Sequence, residues 1–160
     1  MDTAKLKEEA LALRREKHQM IKTGLNAAVE SNHDLAIVYT PGVSAPCLAI
    51  KDDEDLSLEL TWRGNVVAVI SDGTRVLGMG DIGAAAAMPV MEGKSALYKR
   101  FGQIDAIPIT LDTKDPQEFI HTVKLLEKNF AGINLEDISS PKCYDIEDEL
   151  LSLIHISEPT

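Results

Sequence analysis

The chain has 160 residues, 44% of them hydrophobic, enough for one domain with a real core and too apolar for a disordered polypeptide. Aromatic residues are only 4% of it, so that core must be built from Ala, Val, Ile and Leu. With 26 acidic against 16 basic residues the net charge is −10, which argues against nucleic acid as a general partner but leaves room for a small anion held by a few local cations.

No apolar run reaches the roughly 20 residues that a membrane span needs. The first residues, Met1 to Lys5, do not have the pattern of a secretory signal, and a cytoplasmic protein is expected. Cys47 and Cys143 stand alone, without CxxC or Cys/His spacing. They are expected to be reduced and to pack as small buried hydrophobes.

In chain order, residues 4 to about 28 read as one helix, with Leu6, Ala10, Leu13, Met20, Ile21 and Leu25 mostly on one face. Residues 1–30 are therefore expected as an amino-terminal helical segment, able to dock on a neighbouring subunit. Leu35 to Tyr39 reads as a short extended piece, followed by a Thr40-Pro41-Gly42 turn and a brief helix over 46–51. Lys51 to Asp55 is an exposed charge run.

Val66 to Ser71 is a strand of the kind buried on both faces, and Val76-Leu77 reads as a short continuation into a glycine bend. Ala84 to about Phe101 is expected as a helix, interrupted by Pro89 and Gly93. Ala106 to Leu111 is a second strand, Pro116 opens a helix running to Phe130, and Ala131 to Leu135 is a third strand. Cys143 to Leu150 starts another helix. Alternating helices and strands predict an α/β layered domain with a mostly parallel sheet. Functional groups in such sheets gather beyond the carboxyl ends of the strands, where Asp72 to Arg75, Asp112 and Glu136-Asp137 fall.

Leu151 to Thr160 does not continue the period of the preceding residues. Read backwards into codons (CTG TCT CTT ATA CAC ATC TCC GAG CCC ACG), it matches a transposon-end sequencing adapter. A non-native tail over 151–160 is expected, with the authentic protein breaking off near Leu150, and His155 is given no role.

Several motifs carry chemistry. Gly78 to Gly83 fits G-x-G-x-x-G between a strand and a helix, the formal context of a dinucleotide fingerprint. Asp81 would set a carboxylate beside the incoming pyrophosphate, and no clear acid marks the next strand. A tight bend that lets backbone approach closely is the preferred reading. Lys94 is either a solvated lysine or, between the small Gly93 and Ser95, a buried amine whose lowered pKa would make it a base. Tyr39 is a core tyrosine or an acid beside a turn, and Arg75 a surface ion-pair partner or a carboxylate clamp. Glu136-Asp137 suits a solvated loop or cap, or Mg²⁺ or Mn²⁺ rather than Zn²⁺, since no His or Cys lies near. Neighbouring residues of an extended chain point opposite ways, so both could ligate one ion only where the strand has ended or kinked.

Taken together, VYTPGVSAPCLAI, SDGTRVLGMGDIG, MPVMEGKSALYK and NLEDI resemble the amino-terminal part of bacterial-type malic enzyme over most of Leu35 to Leu150. The resemblance implies that residues 31–150 are a substrate and metal domain. It implies oxidative decarboxylation of malate to pyruvate and CO₂ with NAD or NADP and Mg²⁺ or Mn²⁺ in the complete protein. Tyr39 then resembles the general acid, Lys94 the general base, Arg75 the arginine on the substrate carboxylate, and Glu136 and Asp137 two of three metal ligands. A third carboxylate and the nucleotide-binding domain would follow Leu150, so this chain is expected to be the inactive substrate half, with no cofactor-binding residue of its own. A homodimer is implied by resemblance, and no nucleic-acid or membrane partner is expected. A malolactic enzyme sharing these motifs, and a stand-alone binding or dimerisation domain, are the alternatives.

Overall fold

A computed structural model describes residues 3–152. The sheet begins where the sequence is most apolar. β1 (Val66–Ser71) is the central strand, and β2 (Asp105–Thr110) and β3 (Gly132–Leu135) flank it in the order β2-β1-β3, all parallel. Val66 pairs with Asp105 at one end and Ile70 pairs with Leu135 near the other. The expected α/β architecture with a parallel sheet is what forms.

Two helical layers cover this sheet, and β1 feeds both. Val66, Ala68 and Ile70 point to one face, where they pack with Phe119, Ile120 and Val123 of α6 (Pro116–Leu126) and Ile146 and Leu150 of α7 (Lys142–Leu151). Val69 points to the other, against Met91 of α5 (Gly83–Leu97). Alternation along one extended strand thus builds both cores. Each buried aliphatic side chain contributes about 1.5–3 kcal/mol.

α6 starts as its sequence dictates. The Asp115 carboxylate accepts from the Gln117 and Glu118 amides at 2.7 and 3.3 Å, and Pro116 occupies the first turn. α5 runs through Pro89 and Gly93 instead of breaking there, at the cost of one ladder hydrogen bond, and ends in a wider π turn over Tyr98–Gly102.

The amino-terminal region departs from expectation. α1 is Thr3–Lys17, not a helix to residue 28; His18 turns into the left-handed region at φ 66°, and residues 22–30 are exposed. α1 is tied to α5 by Arg14, which pairs with Glu92 and donates to the Pro89 carbonyl at 2.8 Å. The segment expected to be extended is instead α2 (Asn32–Val38), because Ser31 and Asp34 form a reciprocal capping box. α3 (Ser44–Asp52) contains the expected brief helix, and α4 (Ser57–Leu60) leads through a short turn into β1. Cys47 is exposed rather than buried, Cys143 is partly covered, and both thiols are free. The predicted tail lies outside the described residues from 153 onward, while Leu151 closes α7.

Candidate active site

The carboxyl ends of β1 and β3 deliver two loops that lock together. After β1, the Ser71 hydroxyl accepts from the Gly73 amide at 3.0 Å, and Asp72 Oδ1 accepts from the Thr74 amide at 3.0 Å and its hydroxyl at 2.6 Å. Gly73 holds φ 69°, and its carbonyl accepts from the Ile82 and Gly83 amides at 3.1 and 3.2 Å. This folds the glycine bend back onto the strand end. A Cβ on Gly73 would run into the Gly83 backbone, so glycine is required there twice over.

Val76-Leu77, expected as strand, is part of this bend. The Val76 amide donates to the Gly80 carbonyl at 2.9 Å, and Leu77 has φ 49°. Val76 is fully buried and Leu77 exposed, so one side chain plugs the core while the chain reverses around it. G-x-G-x-x-G serves here as a tight turn, with Asp81 paired to Lys114.

After β3 the chain kinks at once. The Glu136 amide makes the last rung to the Ile70 carbonyl at 2.9 Å, and Asp137 then adopts φ 55°. The strand has therefore ended between the two carboxylates, the condition for both to serve one ion. The Arg75 amide donates to the Asp137 carbonyl at 3.0 Å, which joins the two loops backbone to backbone. Arg75's own side chain is exposed and makes no hydrogen bond or ion pair among the described residues.

Lys94 reaches this cluster from α5. Its Nζ lies 2.6 Å from Glu136 Oε1, and the Asn134 side chain donates to the same oxygen at 3.1 Å. The hydrogen bond that Lys94 donates to Glu136, followed by the Glu136 charge, raises the Lys94 pKa from its ordinary 10.5. Of the two readings of Lys94, the buried amine with a lowered pKa is not what forms: its side chain is 39% exposed and sits against a carboxylate. Asp137 shifts upward from 3.8, first through burial and then through the neighbouring Glu136 charge, offset in part by the Leu77 amide. Its Oδ2 is buried with no hydrogen-bond partner.

A cation would relieve that orphaned oxygen, and an all-oxygen donor pair suits a hard ion such as Mg²⁺ or Mn²⁺. Glu136 and Asp137 fit such an ion as two donors. No set of three His, Cys, Asp or Glu side chains able to hold a metal occurs among the described residues. Tyr39 closes α2 and is 67% exposed. No hydrogen bond or ion pair among the described residues ties it to Lys94, Glu136 or Asp137. The structure thus gathers Lys94, Glu136, Asp137 and the Arg75 backbone, and leaves Tyr39 outside.

Residues 16–118 match the model of the malic enzyme N-terminal domain. The chain belongs to the malic enzyme family. It is 47% identical over 145 residues to the bifunctional malic/malolactic enzyme of Bacillus subtilis, covering 91% of this chain and 35% of that protein. It is 55% identical over 130 residues to the NAD-dependent malic enzyme of Geobacillus stearothermophilus, covering 81% of this chain and 27% of that one. The chain therefore spans about a third of the relatives it matches. The crystal structure of the NAD-dependent malic enzyme of Thermotoga maritima superposes with a TM-score of 0.86 at 45% identity, over 88% of this chain and 40% of the other. That of Entamoeba histolytica malic enzyme gives 0.87 at 40% identity, over 91% and 31%.

Two contacts of this malic enzyme domain escaped the motif reading, Asn134 with Glu136 and Asp72 with Lys142, although Asn134 and Asp72 themselves lie within the family's motifs. Asn134 was legible only as a position two before Glu136, on the same side of the strand. Asp72 and Lys142 lie 70 residues apart and meet only in the fold, at 2.5 Å.

Proposed function

We propose that this chain is the substrate- and metal-binding half of a malic enzyme, acting on malate in the complete protein and inactive by itself. The observation that carries this reading is the Lys94–Glu136 contact beside the orphaned Asp137 oxygen. It supports the reading because an amine from α5 meets a carboxylate just after β3, and both lie in stretches that resemble the family's motifs.

Arg75 is the group for the substrate carboxylate, since it is exposed and has no ion pair among the described residues, and its planar fork matches that ligand. Glu136 and Asp137 would hold a divalent cation. When bound, that ion would supply Lewis-acid stabilisation of the C2 oxygen, and NAD or NADP would supply the hydride acceptor. Lys94 Nζ takes the C2 hydroxyl proton. It can do so only as the neutral amine, so the Glu136 carboxylate must first leave Lys94 and the ammonium must release its own proton to solvent, to which the side chain is 39% exposed. Loss of the C4 carboxylate as CO₂ breaks the C3–C4 bond and leaves the enolate of pyruvate; Tyr39 is the proton donor to its C3, a role resting on the family motif around Thr40-Pro41-Gly42.

A homodimer is proposed as the assembly, supported by the exposed Leu35, Ile37, Val38 and Leu48 on α2 and α3, neither of which buries a residue. The two free thiols favour a reducing cytoplasm.

Calorimetric titration with Mn²⁺ and malate tests the reading. Malate binding that requires both Mn²⁺ and Arg75 supports it. Tight malate binding with no metal dependence would turn the assignment to a stand-alone binding domain, and NAD(P)-dependent malate oxidation by the 160-residue chain would refute its inactivity. A malolactic reading is favoured by one observation, the bifunctional name of the Bacillus subtilis relative. Net NADH or NADPH formation by the complete gene product distinguishes malic from malolactic chemistry.

A further inference from the structure

We infer that the buried Asp72–Lys142 ion pair is a positioning device, which sets the Arg75 loop against the Asp137 loop so that both face one ligand. The inference rests on the proposed roles of Arg75 and Asp137. Asp72 is the first residue beyond β1, and its side chain is 1% exposed. One carboxylate oxygen takes the Thr74 amide and hydroxyl, and the other takes Lys142 Nζ at 2.5 Å. Lys142 is the first residue of α7, 16% exposed on its side chain, and also reaches the Lys114 carbonyl at 3.4 Å. The Thr74 hydroxyl relays the contact onward, accepting from the Ser139 amide at 3.0 Å.

One buried carboxylate therefore engages its own turn, the loop after β3 through Thr74, and the start of α7 through Lys142. Between these ties stands the single backbone bond from Arg75 to Asp137. Stability alone does not explain the charges, because a well-packed apolar pair of similar size serves a buried site as well or better. Directional bonds do explain them: Asp72 fixes the turn that aims Arg75, and Lys142 fixes the far end of the six-residue loop, 136–141, that carries Asp137 through its left-handed kink.

The test compares Lys142→Met, Lys142→Arg and the double variant Asp72→Asn/Lys142→Met with the 160-residue wild type. Three readouts are needed: thermal midpoint, hydrogen exchange at the Arg75 amide, and Mn²⁺ affinity. Lys142→Met should lower Arg75 protection by about tenfold, the scale of one lost hydrogen bond. Lys142→Arg, which keeps the ion pair, should restore it. The double variant should recover most of the thermal midpoint, since no buried charge is left unpaired, yet keep the exposed Arg75 amide and weaker Mn²⁺ binding. Should Lys142→Met be unfolded, Lys142→Gln carries the same comparison. Wild-type Arg75 protection in a folded variant lacking the pair would overturn the inference and leave a plain structural strut. If the wild type itself binds no Mn²⁺, the metal-site proposal fails while the exchange data still decide this one.

Discussion

Lys94 Nζ and Glu136 Oε1 meet at 2.6 Å across the gap between α5 and the end of β3. The same carboxylate is the proposed first donor to a divalent cation, so the lysine and the ion compete for one group. Replacing Lys94 by Met removes the competitor and a nearby positive charge. Mn²⁺ affinity should then rise, by about tenfold or 1.4 kcal/mol, while malate turnover in a complete enzyme is lost. Isothermal titration of the variant decides this; weaker Mn²⁺ binding would mean that Lys94 orders the site instead of opposing it.

The same pair predicts a pH dependence. Lys94 has its pKa raised in the folded chain, so the stability it contributes is complete below the ordinary 10.5 and is lost as pH climbs through the raised value. Because the side chain is 39% exposed, screening keeps the contribution under about 1 kcal/mol. Wild type should therefore lose slightly more stability than Lys94→Met above that pH. Parallel alkaline melting curves for the two proteins would show that the contact has no energetic weight.

Asp137 works in the opposite direction. Burial and the Glu136 charge push its pKa up from 3.8, so the folded chain binds its proton more tightly than the unfolded chain does. Protonation thus favours folding: stability is gained as pH falls through the folded value and is absent above it. At neutral pH the carboxylate is a liability, and Asp137→Asn should melt a few degrees higher than wild type, with the gap closing toward about pH 4. The same variant should bind Mn²⁺ poorly. A neutral-pH melting point below wild type would show that the orphaned oxygen is better served than its surroundings suggest.

How much of this was readable from the chain depends on the range of the forces involved. β1 matched the expected strand end to end, because six residues buried on nearly every side leave little alternative. α6 was legible from Pro116 and the Phe119–Val123 spacing, both local signals. α2 was misread: Ile37 and Val38 favour extended chain, but the Ser31/Asp34 capping box outweighs them. For Lys94 the small neighbours left a solvated and a buried reading open, and only the family motif singled it out; its partner could not be inferred locally, since Glu136 follows a strand and lies 42 residues on. Tyr39 was legible only as part of a family motif, and nothing local determines what its hydroxyl meets.

Core packing gives a prediction independent of function. Ile70 is fully buried in the central strand, facing α6 and α7. Truncation to Ala should cost about 2–5 kcal/mol, through lost transfer energy and an unfilled cavity. Chemical denaturation would measure it, and a loss below 1 kcal/mol would mean that the two helical layers collapse freely onto the gap.

Gly73 joins fold to site more tightly than any other position in the glycine bend. Its φ of 69° is costly for a residue with a side chain, and an added Cβ would meet the Gly83 backbone and the Ala84 nitrogen at 3.1 Å. Neither neighbour is the end of a flexible side chain that could swing aside. Gly73→Ala should therefore cost about 1–3 kcal/mol in backbone strain, with more if the bend shifts. The shift would fall on the turn that carries Thr74 and Arg75, so malate affinity should drop further than stability does. Gly93→Ala provides the control, as nothing lies within 4 Å of a Cβ there and the residue is mid-helix, where alanine is favoured. Equal stability of the two variants would contradict the close approach of Gly73 to the start of α5.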